Sequence, residues 1–374
     1  MAGYLITLDD VQSLKQIVES GVYSTVMKPP KFATWGTSHE GTFADYLSMK
    51  EGDRVFFFVD RRIYGCGKLK NVGNDCKFFN YVDANLPHGH NTTTFNQTKI
   101  IQNSSRDNRC FCVFEPSPAF FVNGIDMDQV LISKDNPFRS LRTMWKVSFI
   151  KMDDDESLAL YNIIIKFNEN NLTNKTFHLA YKTQFYNRLK RLNLFKYTLD
   201  RHFLIEQCTN SKTNQLRHEM ALEASLCEIL SFETRNPFGR WDYISHQVAA
   251  SPFKPVDYMD KMDVFGYRFV TGYEIKSKYI IAELKRDVAT TAVVEQIMKY
   301  VDWVSNEYAN KDYSMIDAYI VAADFTDEVK MMAKKHGVRN YTKGYRPTQF
   351  CVWDSLKMIK YEVQSNDVVF SAIN

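Results

Sequence analysis

Chemistry first becomes visible where an apolar strand turns abruptly to charge. The segment KYIIAELK, 278–285, reads as a buried strand. Side chains alternate along a strand, so Glu283 and Lys285 share one face while Leu284 points the other way. Upstream, the segment MDVFG, 262–266, supplies Asp263, with an apolar residue before it and a turn glycine, Gly266, after it. Two carboxylates on adjoining strands can hold one or two magnesium (or manganese) ions, which prefer oxygen ligands and keep several waters. An ammonium beside them can orient or deprotonate an attacking water and neutralise charge developing on a phosphate. Such a set suits phosphodiester hydrolysis, although a carboxylate and an ammonium side by side after an apolar strand are a surface pair in most proteins. The nearby Asp257, in PVD, is a rival for the metal aspartate.

The surrounding elements must hold these groups in place. HEMALEASLCEIL, 218–230, has strong helix formers and an apolar stripe. It carries two acidic candidates, Glu219 and Glu223. After the charged strand end, Gln296 and Tyr300 stand at i and i+4, on one helical face beside Val294, Ile297, Met298 and Val301. A buried strand over 318–322 and a helix over 327–336, closed by Gly337, follow. Residues past 350 read as a last strand and a short helix. The basic residues Lys330, Lys334, Lys335, Arg339, Lys343 and Arg346, interleaved with Tyr341 and Tyr345, are a candidate phosphate-contacting rim.

The order of these features resembles the PD-(D/E)xK nuclease superfamily. The features are LEASL, DVFG, IIAELKRDVATTAVVEQIMKYVDWV and IDAYIVAADFTDEVKMMAKKHGV. Together they resemble the RecB-like branch, including the C-terminal domain of NucS-type endonucleases. The resemblance covers roughly 217–345. It implies an α/β restriction-endonuclease-like domain with a central mixed sheet and an αβββαβ core. It also implies roles. Asp263 and Glu283 would hold magnesium, Lys285 would act on the water, Glu223 would match the helix glutamate, and Gln296 and Tyr300 the QxxxY pair. One departure is that Asp260-Lys261-Met262 stands where a small residue or glycine usually precedes the aspartate.

The N-terminal half reads differently. A helix over 9–21, strands over 54–59 and 63–69, further strands near 78–81 and 110–114, a polar loop over 83–108 and a capped helix over 158–167 suggest a small α+β barrel. Ala33-Thr34-Trp35-Gly36, GDRVFFFVDRRIYGCGKL and FRSLRTMWKVSFIKM resemble the PUA-like superfamily, in its EVE and YTH branches. That resemblance implies a nucleic-acid-binding pocket, with Trp35 and then Trp145 as aromatic walls for an extruded, even modified, base. Either tryptophan could equally fill the core. The expected layout is a reader domain over 1–168, a basic helical connector over 169–216 and a nuclease domain over 217–374.

Composition agrees with a protein of this kind. At about 150 residues per domain, 374 residues make two to three domains. A net charge of +3 excludes a polybasic binder, and no apolar run approaches a membrane span. Seven scattered cysteines without a CxxC pair, and no apolar leader, point to the cytoplasm. The sequence therefore leads to a magnesium-dependent endonuclease acting on DNA, in a restriction or defence role by analogy, with no membrane partner. RNA as substrate, a non-catalytic binding protein on a nuclease scaffold, and a homodimer stay open.

Overall fold

Asp60 and Arg61 adopt left-handed backbone (φ 48° and 62°), which lets two residues close a tight hairpin whose twist matches its strands. That hairpin is the centre of the first of two sheet-containing units in a mixed α/β chain. The computed structural model describes residues 1–87, 91–133, 138–143, 149–251 and 259–373, so Trp145 and Asp257 lie outside the described residues. One unit comprises Met1–Thr34 with Asp45–Asp200, the other Trp35–Ala44 with Arg201–Asn374. Among the described residues no helix is long and apolar enough to cross a membrane.

The first unit holds β1 (Gly3–Thr7), β2 (Val22–Val26), β3 (Arg54–Val59), β4 (Arg62–Leu69), β5 (Lys77–Phe79), β6 (Asn108–Pro116), β7 (Ile125–Asp126) and β8 (Phe149–Met152). Their order is β2-β6-β4-β3-β1-β8, with β5 on β6 and β7 on β4. The Tyr23 ring of β2 lies edge-on to Phe149 of β8, with centroids 5.6 Å apart, so the two ends of this path meet through side chains. Helix α1 (Val11–Ser20) starts where the Asp10 carboxylate accepts the Ser13 N–H and stops at Gly21, φ 67°. Helix α2 (Thr37–Leu47) straddles both units. Four helices follow: α3 (Thr92–Thr98), α4 (Met127–Leu131), α5 (Ser140–Thr143) and α6 (Asp154–Phe167). Asp153 caps α6, whose Leu160, Ile163 and Ile164 pack into a core with Leu5, Phe56 and Ile63. The short α7 (Gln184–Leu189) places Leu189 in a second core with Val22, Phe111 and Val113. The basic stretch around Arg188 falls within the first unit. Within the expected 83–108 loop lies a helix, α3, capped by Asn91.

The second unit begins with α8 (Arg201–Cys208), the two-residue strands β9 (Thr209–Asn210) and β10 (Gln215–Leu216), and α9 (Glu219–Phe232). Then come β11 (Tyr243–Ala249), β12 (Lys261–Phe269), β13 (Lys276–Ala289), α10 (Ala292–Glu307), β14 (Ile316–Phe325) and α11 (Asp327–His336). Strands β15 (Arg339–Lys343), β16 (Gln349–Trp353), β17 (Leu356–Gln364) and β18 (Asp367–Ala372) complete it. The central sheet runs β11-β12-β13-β14-β17-β18. Its β13–β14 and β14–β17 pairs are parallel and the others antiparallel, which makes it mixed.

Two expectations need correcting. Gly266 is not a turn residue. It sits in the middle of β12, where a Cβ would come within 2.3 Å of the Tyr243 carbonyl of β11, so glycine is there for close strand approach. Among the described residues past 350 there is no helix. Residues 349–372 form three strands, and Ser365 and Asn366 (φ 51° and 60°) close the last hairpin without glycine.

Arg201 anchors the helix that matters most. Its guanidinium pairs with Asp367 through Nε and with Glu233 through Nη1, at 2.7 and 2.8 Å. Its backbone N–H donates to Glu228 of α9 at 3.0 Å. Only 12 % of its side chain is exposed, so removing it strands partly buried carboxylates. Arg201→Met should therefore lose about 3 kcal/mol or more of stability in denaturant titration. An unchanged midpoint would show that α9 is held without this hub.

Candidate active site

Helix α9 is buried on nearly every side, from Ala221 to Leu230. Its position therefore takes Glu223 inside, at 2 % exposure. Strand pairing brings the other carboxylates to it. The β12–β13 ladder ends at Val264 and Ala282, and Asp263 and Glu283 are the next residues out. There the Asp263 carboxylate substitutes for the ladder by accepting the Leu284 N–H at 2.8 Å. Immediately after Lys285 the β13–β14 register shifts, a bulge of the sort that re-aims side chains at functional sites. Glu283 is fully buried.

Lys285 Nζ donates to Glu283 Oε1 and to the Leu284 carbonyl, both at 2.8 Å, and lies 3.5 Å from Glu219 Oε1. The other Glu219 oxygen accepts the Arg286 N–H at 3.0 Å, so Glu219 braces the strand end while Glu223, one turn on, enters the cluster. Gln296 Nε2 donates to Tyr300 Oη at 3.1 Å. Burial pushes the Tyr300 hydroxyl up to about 12, with the charges of Glu283 and Asp263 adding to it. The structure thus brings Glu223, Asp263, Glu283, Lys285 and Tyr300 together, with Gln296 tied to Tyr300.

Like charges in a buried place repel. Burial first, then the charges of Glu283 and Glu223, raise the Asp263 carboxyl far above the usual carboxylate range. Burial raises Glu283 as well, with Lys285 pulling the other way. Burial alone would lower the Lys285 ammonium, but the carboxylates around it hold it above its ordinary value.

Two features were not legible in the spacing. Gln247 of β11 has φ 52°, a left-handed backbone that costs about 1–2 kcal/mol for a residue with a Cβ. Its Nε2 donates to both Glu223 oxygens, at 2.9 and 3.2 Å, and lies 3.4 Å from Asp263 Oδ1. Nothing in a glutamine announces this contact. The second feature is Glu40, fully buried, whose Oε1 accepts from Cys208 Sγ at 3.1 Å and lies 2.8 Å from His218 Nδ1. It holds the residue that opens α9. Trp35 departs from its expected role. It belongs to the second unit, is 1 % exposed and packs edge-on against Phe43 at 5.4 Å, so it fills a core rather than walling a pocket of the N-terminal module.

Among the described residues no three His, Cys, Asp or Glu side chains are arranged to hold a metal ion as they stand. The donor set nevertheless suits magnesium, being entirely carboxylate and carbonyl oxygen. One of those oxygens, Glu283 Oε2, is buried without a hydrogen-bond partner.

No family model matches the chain. Part of it is similar to Endonuclease NucS of Pyrococcus abyssi (strain GE5 / Orsay). The two are 28% identical over 120 residues, which is 32% of this chain and 42% of the relative. The chain therefore matches less than half the length of that relative. Among solved structures, a repair endonuclease from Pyrococcus abyssi is 26% identical over 25% of this chain and 36% of its own, with a TM-score of 0.17. An EndoMS–double-stranded DNA complex is 22% identical over 31% and 41%, with a TM-score of 0.21. Protein Atu2648 from Agrobacterium tumefaciens is 12% identical over 44% and 92%, with a TM-score of 0.26.

The raised carboxyls make stability depend on pH. A carboxyl raised on folding keeps a proton that the unfolded chain has released, so its contribution is full below about pH 4 and lost as pH rises. Metal-free protein should melt lower at about pH 8.5 than at about pH 5.5. Asp263→Asn keeps an oxygen for the Leu284 N–H while removing a charge, so it should melt above the parent at the higher pH. An Asp263→Asn variant that melts lower there would mean the carboxylates do not oppose folding.

Proposed function

We propose that the chain is a metal-dependent endonuclease hydrolysing phosphodiester bonds in DNA. The observation that carries this reading is the convergence of Glu223, Asp263 and Glu283 with the Lys285 ammonium in one buried cluster. Three buried carboxylates within mutual repulsion are costly unless something positive completes them. The partial similarity to an endonuclease supports the same reading.

Asp263 and Glu283 would hold the divalent cation, joined by the Leu284 carbonyl, with Glu223 next to them. Bound there, magnesium would supply a nucleophilic water and neutralise charge on the phosphate. The chain's own part is positional. Lys285, braced by Glu283 and Glu219, presents its ammonium where a water and a phosphate oxygen can receive it. Tyr300 keeps its proton and can donate a hydrogen bond, and Gln296 fixes the orientation of its hydroxyl. The loose match of residues 1–168 to PUA-like domains supports a division of labour in which that region holds the nucleic acid, modified DNA being one candidate. With Trp35 in the core of the second unit, any aromatic pocket there must use other residues.

The test is incubation with magnesium or manganese and a panel of plain and modified, single- and double-stranded DNA and RNA. Cleavage should require the cation and be lost in Glu283→Ala. Lys285→Ala should keep cation binding and lose about 10²–10³-fold in rate, the usual cost of removing one donor to developing negative charge. If both variants cut at the parental rate, the assignment is wrong. If the parent binds DNA but never cuts, the nuclease fold serves only as a scaffold.

A further inference from the structure

Gln247 lies outside the residues that spacing singles out, yet it sits among them. A single amide nitrogen spans two carboxylates on different elements, Glu223 of α9 at 2.9 and 3.2 Å and Asp263 of β12 at 3.4 Å. The backbone is held at φ 52° to aim it there, between the paired residues His246–Val264 and Val248–Met262. Strained backbone concentrates where a side chain must be placed for a purpose. Donating to two carboxylates is, in hydrogen bonds, what a cation does with charge. The amide covers only part of the cluster, because the buried Glu283 Oε2 has no hydrogen-bond partner.

We propose that Gln247 is a built-in competitor for the divalent cation: its amide occupies Glu223 and Asp263 in the ion-free protein, and the ion binds by displacing it. This rests on the nuclease reading above, and it adds a residue that sets how tightly that site takes its ion. Two substitutions separate the amide from its strained backbone. Gln247→Met fills the same space without a donor. Gln247→Gly removes the side chain and adopts positive φ without penalty.

The experiment is calorimetric titration of magnesium and manganese chloride into full-length, metal-stripped protein, with a metal-free melting curve for each variant. Both variants should bind the cation about tenfold more tightly than the parent, the ratio carried by one hydrogen bond to a charged group. Both should also show a larger gap between metal-free and metal-loaded melting temperatures. Parental or weaker affinity in a folded variant overturns the proposal, and weaker affinity would make Gln247 a ligand instead. If the Met variant does not fold, the Gly variant decides. Failure of the competitor while the parent still binds the ion leaves the nuclease reading standing. A folded parent that takes up neither cation overturns both.

Discussion

The structure depends on keeping three carboxylates close together in a buried place. Water would gladly solvate Glu223, Asp263 and Glu283, and each loses that hydration on folding. The surrounding contacts read as answers to this one difficulty. Leu284 gives up its ladder hydrogen bond to Asp263, Lys285 turns back onto Glu283, and Gln247 accepts an unfavourable φ to reach Glu223. A fold selected for stability alone would have no reason to assemble them. Buried charge without full compensation is a mark of sites adjusted for chemistry rather than cohesion.

The scaffold meets that load at a distance. Helix α9 cannot shift without exposing Ala221 to Leu230, and it is tied down at both ends. Arg201 holds Glu228 and Glu233 near its C-terminus, while Glu40 holds His218 at its start. Gly266 lets β11 approach β12 closely, which brings Gln247 within reach of the cluster. Positions several residues from the chemistry thus decide where a carboxylate oxygen lies.

What could be read from the sequence follows from which physics is local. Alternation along β13 places Glu283 and Lys285 on one face whatever surrounds them, and i, i+4 spacing joins Gln296 to Tyr300. Caps such as Asp153 and Gly21 are equally local. Gln247 was invisible because its role comes from a backbone angle and from partners on two other elements. Gly266 was misread because a glycine for a turn and a glycine for close packing are the same letter. The last hairpin reads in sequence as a strand and a short helix because Ser365-Asn366 turns tightly without the glycine that usually marks a hairpin. Trp35 lies early in the chain but packs on Phe43, whose ring meets Phe203 of α8 at 4.7 Å, and sequence position says nothing of such long-range choices.

That last choice shapes how the molecule can be made and dissected. Residues 35–44 leave the first unit, contribute Trp35, Glu40 and Phe43 to the interior of the second, and the chain then returns to the first. Emerging from the ribosome, this short segment must wait, with its apolar rings uncovered, until the whole first unit and then α8 have been synthesised. For the same reason, a fragment cut at the obvious point before Arg201 would lack part of its own interior. It would leave His218 without its carboxylate, at the mouth of the helix that carries the cluster. The two units are not separable pieces of chain.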